Sequence, residues 1–302
     1  MTNTLILIDG DILVYMIALA NERKYYICNN KVYKSLKHAE NASLSSKSDI
    51  YPYKYYYPAA QLETILYTKL NSIFEDLGTR NYVMYITDRD RSKNYRNQFA
   101  NFLPYKGNRT KKSKPFYYTQ ARNLLMKKYG AIKIIGEEAD DAIGKKATDL
   151  YAQYNDYEHA YIASIDKDLQ TIPGYHYHLK DRQIKYINQE EAEKNFIIQL
   201  LQGDRADNVP GLYRLLLLHN RREDANKLRN THYIAAATKF FVDKAPLECY
   251  NYVKGLYCEY GYSEEDILEI GRLLWIKRYD DDDWQNRLKR DYCGSKEVNC
   301  TR

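Results

Sequence analysis

Ile135-Gly-Glu-Glu-Ala-Asp-Asp-Ala-Ile143 is the stretch whose reading decides the fold. The apolar run before it, Ala131 to Ile135, predicts a buried β-strand. The spacing of Ala142, Ile143, Ala147, Leu150 and Tyr151 after it predicts a helix. Between them stand Glu137, Glu138, Asp140 and Asp141. One or two carboxylates in a first helical turn answer the helix dipole. Four acids where a strand hands over to a helix exceed that need. Open α/β sheets place their ligands at this carboxyl edge.

The same junction recurs outward in both directions. Leu5-Ile-Leu-Ile8 is an unbroken apolar run, as a strand buried on both faces requires. It leads into Asp9-Gly-Asp11, where a turn and a helix cap are the competing explanation. Tyr82 to Ile86 ends in Thr87-Asp88, and Ala160 to Ile165 ends in Asp166-Lys-Asp168. Helical patterns alternate with these strands, from Pro58 to a stop at Gly78 and from Phe116 to Tyr129. The alternation predicts an α/β fold with a mostly parallel sheet. Tyr175 to Leu179 and Gln183 to Ile187 predict a meander at the sheet edge.

The expected layout is a core over residues 1–190, a helical region over 191–290 and a loose tail over 291–302. Within the core, residues 22–57 read as an insertion: a hairpin turning at Asn29-Asn30, then a loop, with no chemistry assigned. Residues 89–120 read as a basic segment. The helical region carries Asp204 and Asp207 in the turn Gly203-Asp-Arg-Ala-Asp-Asn-Val-Pro-Gly211, and a capping box at Ser263 to Asp266. The four-acid run Asp280 to Asp283 reads as a solvated helix end.

The chain has 302 residues, 44% hydrophobic and 28% charged, which suits a globular protein with a substantial core. Its net charge of +6 is mild, so distribution matters more than total. From Arg89 to Lys114 there are nine Lys and Arg against one acid, with Tyr95, Phe99, Phe102 and Tyr105 interleaved. That pattern suits a groove for a phosphate backbone. If this segment is helical, Lys106 and Arg109 project together and clamp a phosphate, Arg in bidentate fashion. The five cysteines form no C-x-x-C pair and no Cys/His cluster, which argues against zinc and predicts free thiols in a reducing cytosol. No apolar run is long enough to cross a membrane, so a cytoplasmic protein is expected. No nucleophilic triad is apparent among the histidines.

Four strand ends together carry eight carboxylates, Asp9, Asp11, Asp88, Glu138, Asp140, Asp141, Asp166 and Asp168. Gathered on one rim they would repel one another unless cations neutralise them. Hard oxygen donors select Mg²⁺ or Mn²⁺. Two such ions roughly 3.5–4 Å apart activate a water and stabilise the leaving oxygen of a phosphodiester.

The motifs Ile8-Asp-Gly-Asp11, Thr87-Asp88, Tyr105-Lys-x-x-Arg109 with trailing lysines, and Glu138-x-Asp-Asp141 follow one another along the chain. Asp166-Lys-Asp168 with Thr171-Ile-Pro173, Gly203-Asp-x-x-Asp207 and Glu264-Glu-Asp-Ile267 come after them. In this order they resemble the metal-dependent 5′-nuclease superfamily of 5′→3′ exonucleases and flap endonucleases, and within it the exonucleases of T7-type phages. The resemblance runs from Ile6 to about Tyr279, with a gap over the insertion. It implies a Rossmann-like parallel-sheet core, a helical arch over residues 89–120 and a helix–hairpin–helix-type module gripping duplex DNA. Asp9, Asp88, Glu138, Asp140 and Asp141 would hold one Mg²⁺ or Mn²⁺ ion, and Asp166, Asp168, Asp204 and Asp207 the other. Asp11 is counted with the ligands, although the wider superfamily keeps no acid there. Lys106 and Arg109 would contact the scissile phosphate, with Asp88 and Asp140 beside them as catalytic groups. Tyr105, Arg96, Lys111, Lys112 and Arg214 complete the implied DNA contacts. Implied partners are duplex DNA with a 5′ end, nick or flap, and RNA–DNA hybrid, acted on by a monomer. One departure stands out. Gly211 is followed by Leu-Tyr-Arg-Leu rather than by a second glycine hairpin, which leaves Arg214, Arg221 and Arg222 to compensate.

Two other readings compete. In a haloacid-dehalogenase-type phosphatase, Asp9 is the nucleophile and Asp11 the acid/base. The nine cations have no role there, and Gly203-Asp204 follows a helix rather than a strand. A catalytically dead DNA-binding scaffold is the second. The full acid set opposes it, because unused clustered carboxylates only destabilise.

Overall fold

The computed structural model describes residues 4–43, 50–111 and 113–292. In chain order the elements begin β1 (Leu5–Asp9), α1 (Gly10–Ala20), β2 (Glu22–Cys28), β3 (Lys31–Tyr33), α2 (Leu36–Ala42), β4 (Tyr51–Tyr56) and α3 (Gln61–Leu77). They continue with β5 (Tyr82–Thr87), α4 (Tyr118–Lys128), β6 (Ile132–Ile134), α5 (Ala139–Tyr154), β7 (Ala160–Ser164), β8 (Gly174–His178) and β9 (Ile184–Ile187). The last are α6 (Gln189–Gln202), β10 (Gly203–Asp204), β11 (Val209–Pro210), α7 (Leu212–Leu218), α8 (Arg222–Asn230), α9 (Tyr233–Phe241), α10 (Pro246–Glu259), α11 (Glu264–Leu274) and α12 (Trp284–Arg287). The chain forms two compact units, residues 1–9, 81–112 and 133–302, and residues 10–80 and 113–132.

The first unit holds a six-stranded sheet in the order β6-β5-β1-β7-β8-β9. Pairing is parallel between β1 and β5, β1 and β7, and β7 and β8, and antiparallel between β8 and β9. The mostly parallel sheet and its terminal meander match the expectation. Ile6, Leu7 and Ile8 are wholly buried because β1 has strands on both sides. The strand before Glu137 does not. β6 is a three-residue edge strand, and Ile132 and Ile135 are 47% and 56% exposed, because an outermost strand has a neighbour on one side only. Helix α5 lies against β1, β5 and β7, and its Ala139 N–H donates to Thr87 Oγ1 at 3.0 Å. That bond fixes the N-terminus of α5 at the end of β5.

Helices α6 to α12 enclose a core that includes Phe196, Tyr250, Tyr257, Trp275 and Trp284. Phe99, Phe102 and Tyr105 of the basic segment pack against this core. Three of the four interleaved aromatics are therefore anchors on the helical core. The segment is not an α-helix: among its described residues it forms three short 3₁₀ turns, Arg91–Lys93, Tyr95–Gln98 and Gly107–Lys111. The four-acid run is not simply solvated. Asp282 is buried and accepts from Trp275 Nε1 and the Arg278 N–H, Asp283 caps α12 and pairs with Arg272, and Asp280 pairs with Lys145. The expectation of free thiols holds for Cys28 and Cys249 and fails for Cys258, which is disulfide-bonded. The predicted tail lies almost wholly outside the described residues.

In the second unit, Asn29 and Asn30 take positive φ of 50° and 60° and turn the expected hairpin. The stretch after it is more ordered than a loop. Ser35 caps α2, and β4 pairs with β2 to complete a three-stranded antiparallel sheet, β3-β2-β4. Among the described residues no helix is long and apolar enough to cross a membrane.

His176 on β8 is 9% exposed and sits 2.8 Å from the Ile172 carbonyl through Nε2. Burial pushes its pKa down to about 4, from an unfolded value near 6.5. The neutral ring thus stabilises the fold fully above pH ~6.5, and that contribution, up to about 3 kcal/mol, is lost as pH falls toward 4. Urea midpoints at pH 7 and 4.5 should fall less for His176→Gln than for the parent. An equal fall would remove this histidine from the acid limb.

Candidate active site

Three adjacent chain segments bring their acids to one edge of the sheet. Asp9 closes β1, and its Oδ2 accepts from Ser164 Oγ, 2.7 Å away at the end of β7. The same hydroxyl oxygen accepts from the Asp166 N–H at 2.9 Å. Parallel pairing of β1 and β7 makes this link possible. Asp166 Oδ1 in turn accepts from the Asp168 N–H at 3.0 Å, and Asp168 Oδ1 accepts from Gln199 Nε2 of α6 at 2.9 Å. Asp168 also shares a hydrogen bond with Asp204.

Asp204 and Asp207 sit on the β10–β11 turn. Gly203, at φ 64°, is required there, since a Cβ would lie 2.2 Å from the Gly211 nitrogen. The basic segment closes over this turn. The Lys106 N–H donates to the Asp207 carbonyl at 2.7 Å, and Arg109 Nε donates to the Ala206 carbonyl at 3.1 Å. Lys106 has a positive φ of 55°, which is incompatible with a helix through this point. Its Nζ pairs with Glu138 and lies 3.2 Å from Asp207. The Arg109 guanidinium also pairs with Asp207. The single Tyr105 hydroxyl hydrogen is within reach of Glu138 at 2.9 Å and Asp207 at 2.7 Å.

The electrostatics divide the cluster in two. Burial alone would raise the Glu138 carboxyl, but Lys106 and Arg96 outweigh it and hold the pKa at about 2. Lys106 keeps its proton because Glu138 and Asp207 outweigh its own burial. On the other side, burial followed by the charges of Asp9, Asp166 and Glu138 drives Asp140 well above the carboxylate range. Burial with Asp207 and Asp204 raises Asp166, and burial with Asp166 and Asp204 pushes Asp168 up to about 8. Carboxyls crowded so closely that their neighbours' charge raises them are hard oxygen donors, and that chemistry fits Mg²⁺ or Mn²⁺. Among the described residues no three Asp, Glu, His or Cys side chains converge at metal-ligand spacing. Lys106 and Arg109 neutralise Glu138 and Asp207 instead.

Asp9, Glu138, Asp140, Asp166, Asp168, Asp204, Asp207, Tyr105, Lys106 and Arg109 are thus brought together. Asp141 is not one of the group. It is fully buried, receives two hydrogen bonds from Arg96, and accepts from the Glu138 and Lys277 N–H groups. Every side of its carboxylate is taken, so a metal role is not available to it. Arg96 is 2% exposed and spends its other donors on the Leu273 and Trp275 carbonyls. It cannot meet a DNA strand. Asp88 accepts from the Arg89 N–H at 2.6 Å and pairs with Lys133 at 3.5 Å; partial desolvation opposes these contacts, yet its pKa is held down. Asp11 belongs to the other unit and pairs with Arg122 at 3.5 Å. Arg214 donates to Asn208 Oδ1 at 2.7 Å. Lys111 ends a 3₁₀ turn, and Lys112 lies outside the described residues.

Sequence reading missed Ser164 and Gln199. Ser164 carries a weak signal, a polar residue inside an apolar strand and two before Asp166. Gln199 carries a better one, falling at i+3 from Phe196 on the buried face of α6.

Adjacent acids here have opposite expected phenotypes. Asp141→Asn leaves Arg96 buried without its counter-charge and should cost about 3–5 kcal/mol of unfolding free energy. Asp140→Asn removes a repelling carboxyl and should leave the metal-free protein as stable or more so. Denaturation of both variants in EDTA checks this, and equal destabilisation would contradict the division of roles.

No known family's sequence profile matches the chain, and no curated protein matches it by sequence. Among solved structures it is similar to the bacteriophage T5 D15 protein co-crystallised with metal ions, at 14% identity over 90% of this chain and 86% of that one, TM-score 0.46. It is also similar to the bacteriophage T5 D15 flap endonuclease in a pseudo-enzyme–product complex with DNA and metal ions, at 15% identity over 89% and 99% of the two chains, TM-score 0.46. A mutant T5 5′-exonuclease gives 13% identity over 89% and 99%, with a TM-score of 0.42.

Proposed function

We propose that the chain is a divalent-metal-dependent 5′→3′ nuclease that hydrolyses phosphodiester bonds of duplex DNA from 5′ ends, with flaps, nicks and RNA primers as related substrates. One observation carries the reading. Carboxylates from β1, the start of α5, the end of β7 and the β10–β11 turn, distant in sequence, gather beside two half-buried cations, Lys106 and Arg109. The sequence resemblance to 5′-nucleases supports it independently. A cytoplasmic role in phage DNA replication or host-DNA breakdown belongs to the same proposal.

Asp9, Asp140, Asp166 and Asp168 would hold the ions, joined by Glu138, Asp204 and Asp207. Bound Mg²⁺ or Mn²⁺ supplies Lewis acidity and a water of lowered pKa. Ser164 ties the Asp9 carboxylate to the Asp166 backbone N–H, and Gln199 fixes the Asp168 carboxylate. Lys106 and Arg109 stay charged at neutral pH and offer donors to a phosphate whose negative charge grows during displacement. The Tyr105 hydroxyl, raised well above its ordinary value by burial and by Glu138 and Asp207, remains a neutral donor.

End-labelled duplexes with Mg²⁺ should lose a 5′ label well before a 3′ label, nicked circles should be digested, and EDTA should stop both. Asp140→Ala or Asp166→Ala should abolish hydrolysis with DNA binding kept; cleavage retained in these variants would end the proposal. Lys106→Ala should lower turnover by about 10²–10³-fold and flatten the salt dependence of DNA binding by about one phosphate contact. Unchanged kinetics would take Lys106 out of the mechanism.

A further inference from the structure

The insertion between α1 and α3 builds a sheet with an open face and a partly covered one, on which Pro52 and Lys54 stay exposed. Residues paired across strands share a face. Pairing sets Arg23 beside Tyr55, Tyr25 beside Tyr53, Ile27 beside Tyr51, and Val32 beside Ile27. The alternate residues form the partly covered face. There Tyr56 meets the Phe116 ring at 4.5 Å and Tyr117 at 6.4 Å, and Cys28 is buried. On the open face Tyr51, Tyr53 and Tyr55 are 65%, 50% and 42% exposed, and Val32 is 64% exposed. Alternate residues of a strand lie about 7 Å apart, so the three tyrosines form an evenly spaced row of rings.

Such a row is costly to leave in water, and the charge around it indicates what covers it. Described residues between 22 and 57 include six Lys and Arg against two Glu. A second copy of the same surface would bring like charges together. A hydrocarbon surface would not use three hydroxyl-bearing rings in line. A polyanion with flat apolar faces meets both features, and single-stranded nucleic acid is such a polymer, since its bases are free to stack.

We propose that the β3-β2-β4 sheet is a binding platform for single-stranded nucleic acid, with Tyr51, Tyr53 and Tyr55 stacking on bases and Arg23 beside them meeting phosphate. The platform shares no residue with the acid cluster, and binding to it does not depend on hydrolysis. Anisotropy of fluorescein-labelled dT20 in EDTA, with the full-length chain, tests it. Tyr51→Ala/Tyr53→Ala/Tyr55→Ala should weaken binding by about tenfold or more, and the triple Phe variant, which keeps the rings, should bind like the parent. These side chains are exposed, so equal melting temperatures should accompany the change. Parent-like affinity in the triple Ala variant would overturn the proposal. So would loss in that variant of self-association or of binding to anionic vesicles while dT20 affinity stands. Absence of metal-dependent cleavage in the parent would sink the nuclease reading and leave this binding result intact.

Discussion

Neutralising a crowd of buried carboxylates is the constraint on which the site rests. Two ionised carboxylates about 5 Å apart repel by about 3 kcal/mol at an effective dielectric near 20. The fold meets this cost in two ways. Burial and mutual repulsion drive the pKa values of Asp140, Asp166 and Asp168 up, which favours their neutral forms, and Glu138 and Asp207 are met by Tyr105, Lys106 and Arg109. The second route requires the basic segment to be held tightly, which the aromatic anchors Phe99, Phe102 and Tyr105 achieve by packing on the helical core. Charge balance at the site and packing of the helical region are thus one problem solved by one segment.

Asp140 and Asp141 show how one helical step divides structure from chemistry. Neighbours on an α-helix point about 100° apart, so one carboxylate can face the acid cluster while the next faces the protein interior. Asp141 meets Arg96, and Arg96 reaches the carbonyls at the end of α11. This ion pair ties the start of α5, the basic segment and the helical region together. A buried pair is worth keeping only when its remaining donors and acceptors are satisfied. Here the carboxylate receives four hydrogen bonds and the guanidinium donates four.

The sheet was legible in the sequence because parallel strands buried on both faces leave unbroken apolar runs, as at Leu5 to Ile8. Position within the sheet was not legible, because a run such as Ala131 to Ile135 is equally apolar at an edge. The acid cluster was legible as a recurring junction, whereas the separate fate of Asp141 depends on an arginine 45 residues away. Arg96 read as part of a basic face because a count of charges does not show which one is turned inward. Lys106 and Arg109 were expected on one face of a helix, and the structure gives them a different backbone and carboxylate partners. A positive φ at Lys106 leaves no mark in a sequence where the residue is neither Gly nor Asn. The ordered sheet in the insertion was hidden by its Ser, Lys and Tyr content, which imitates a loop.

The cations raise a thermodynamic point about the proposed nuclease. Lys106 and Arg109 cannot lie on Glu138 and Asp207 and on a substrate phosphate with the same donors at once. A divalent ion that takes up those carboxylates releases the cations, and a phosphate that takes up the cations exposes the carboxylates. Linkage makes the two effects equal in free energy whichever ligand arrives first. Metal and DNA would then bind cooperatively through side chains already in contact, with no change needed in the strands that carry Asp9 and Asp166. The rigid part of the site is the part bridged by Ser164. The exchangeable part is the set of side-chain ion pairs that Lys106 and Arg109 make with Glu138 and Asp207.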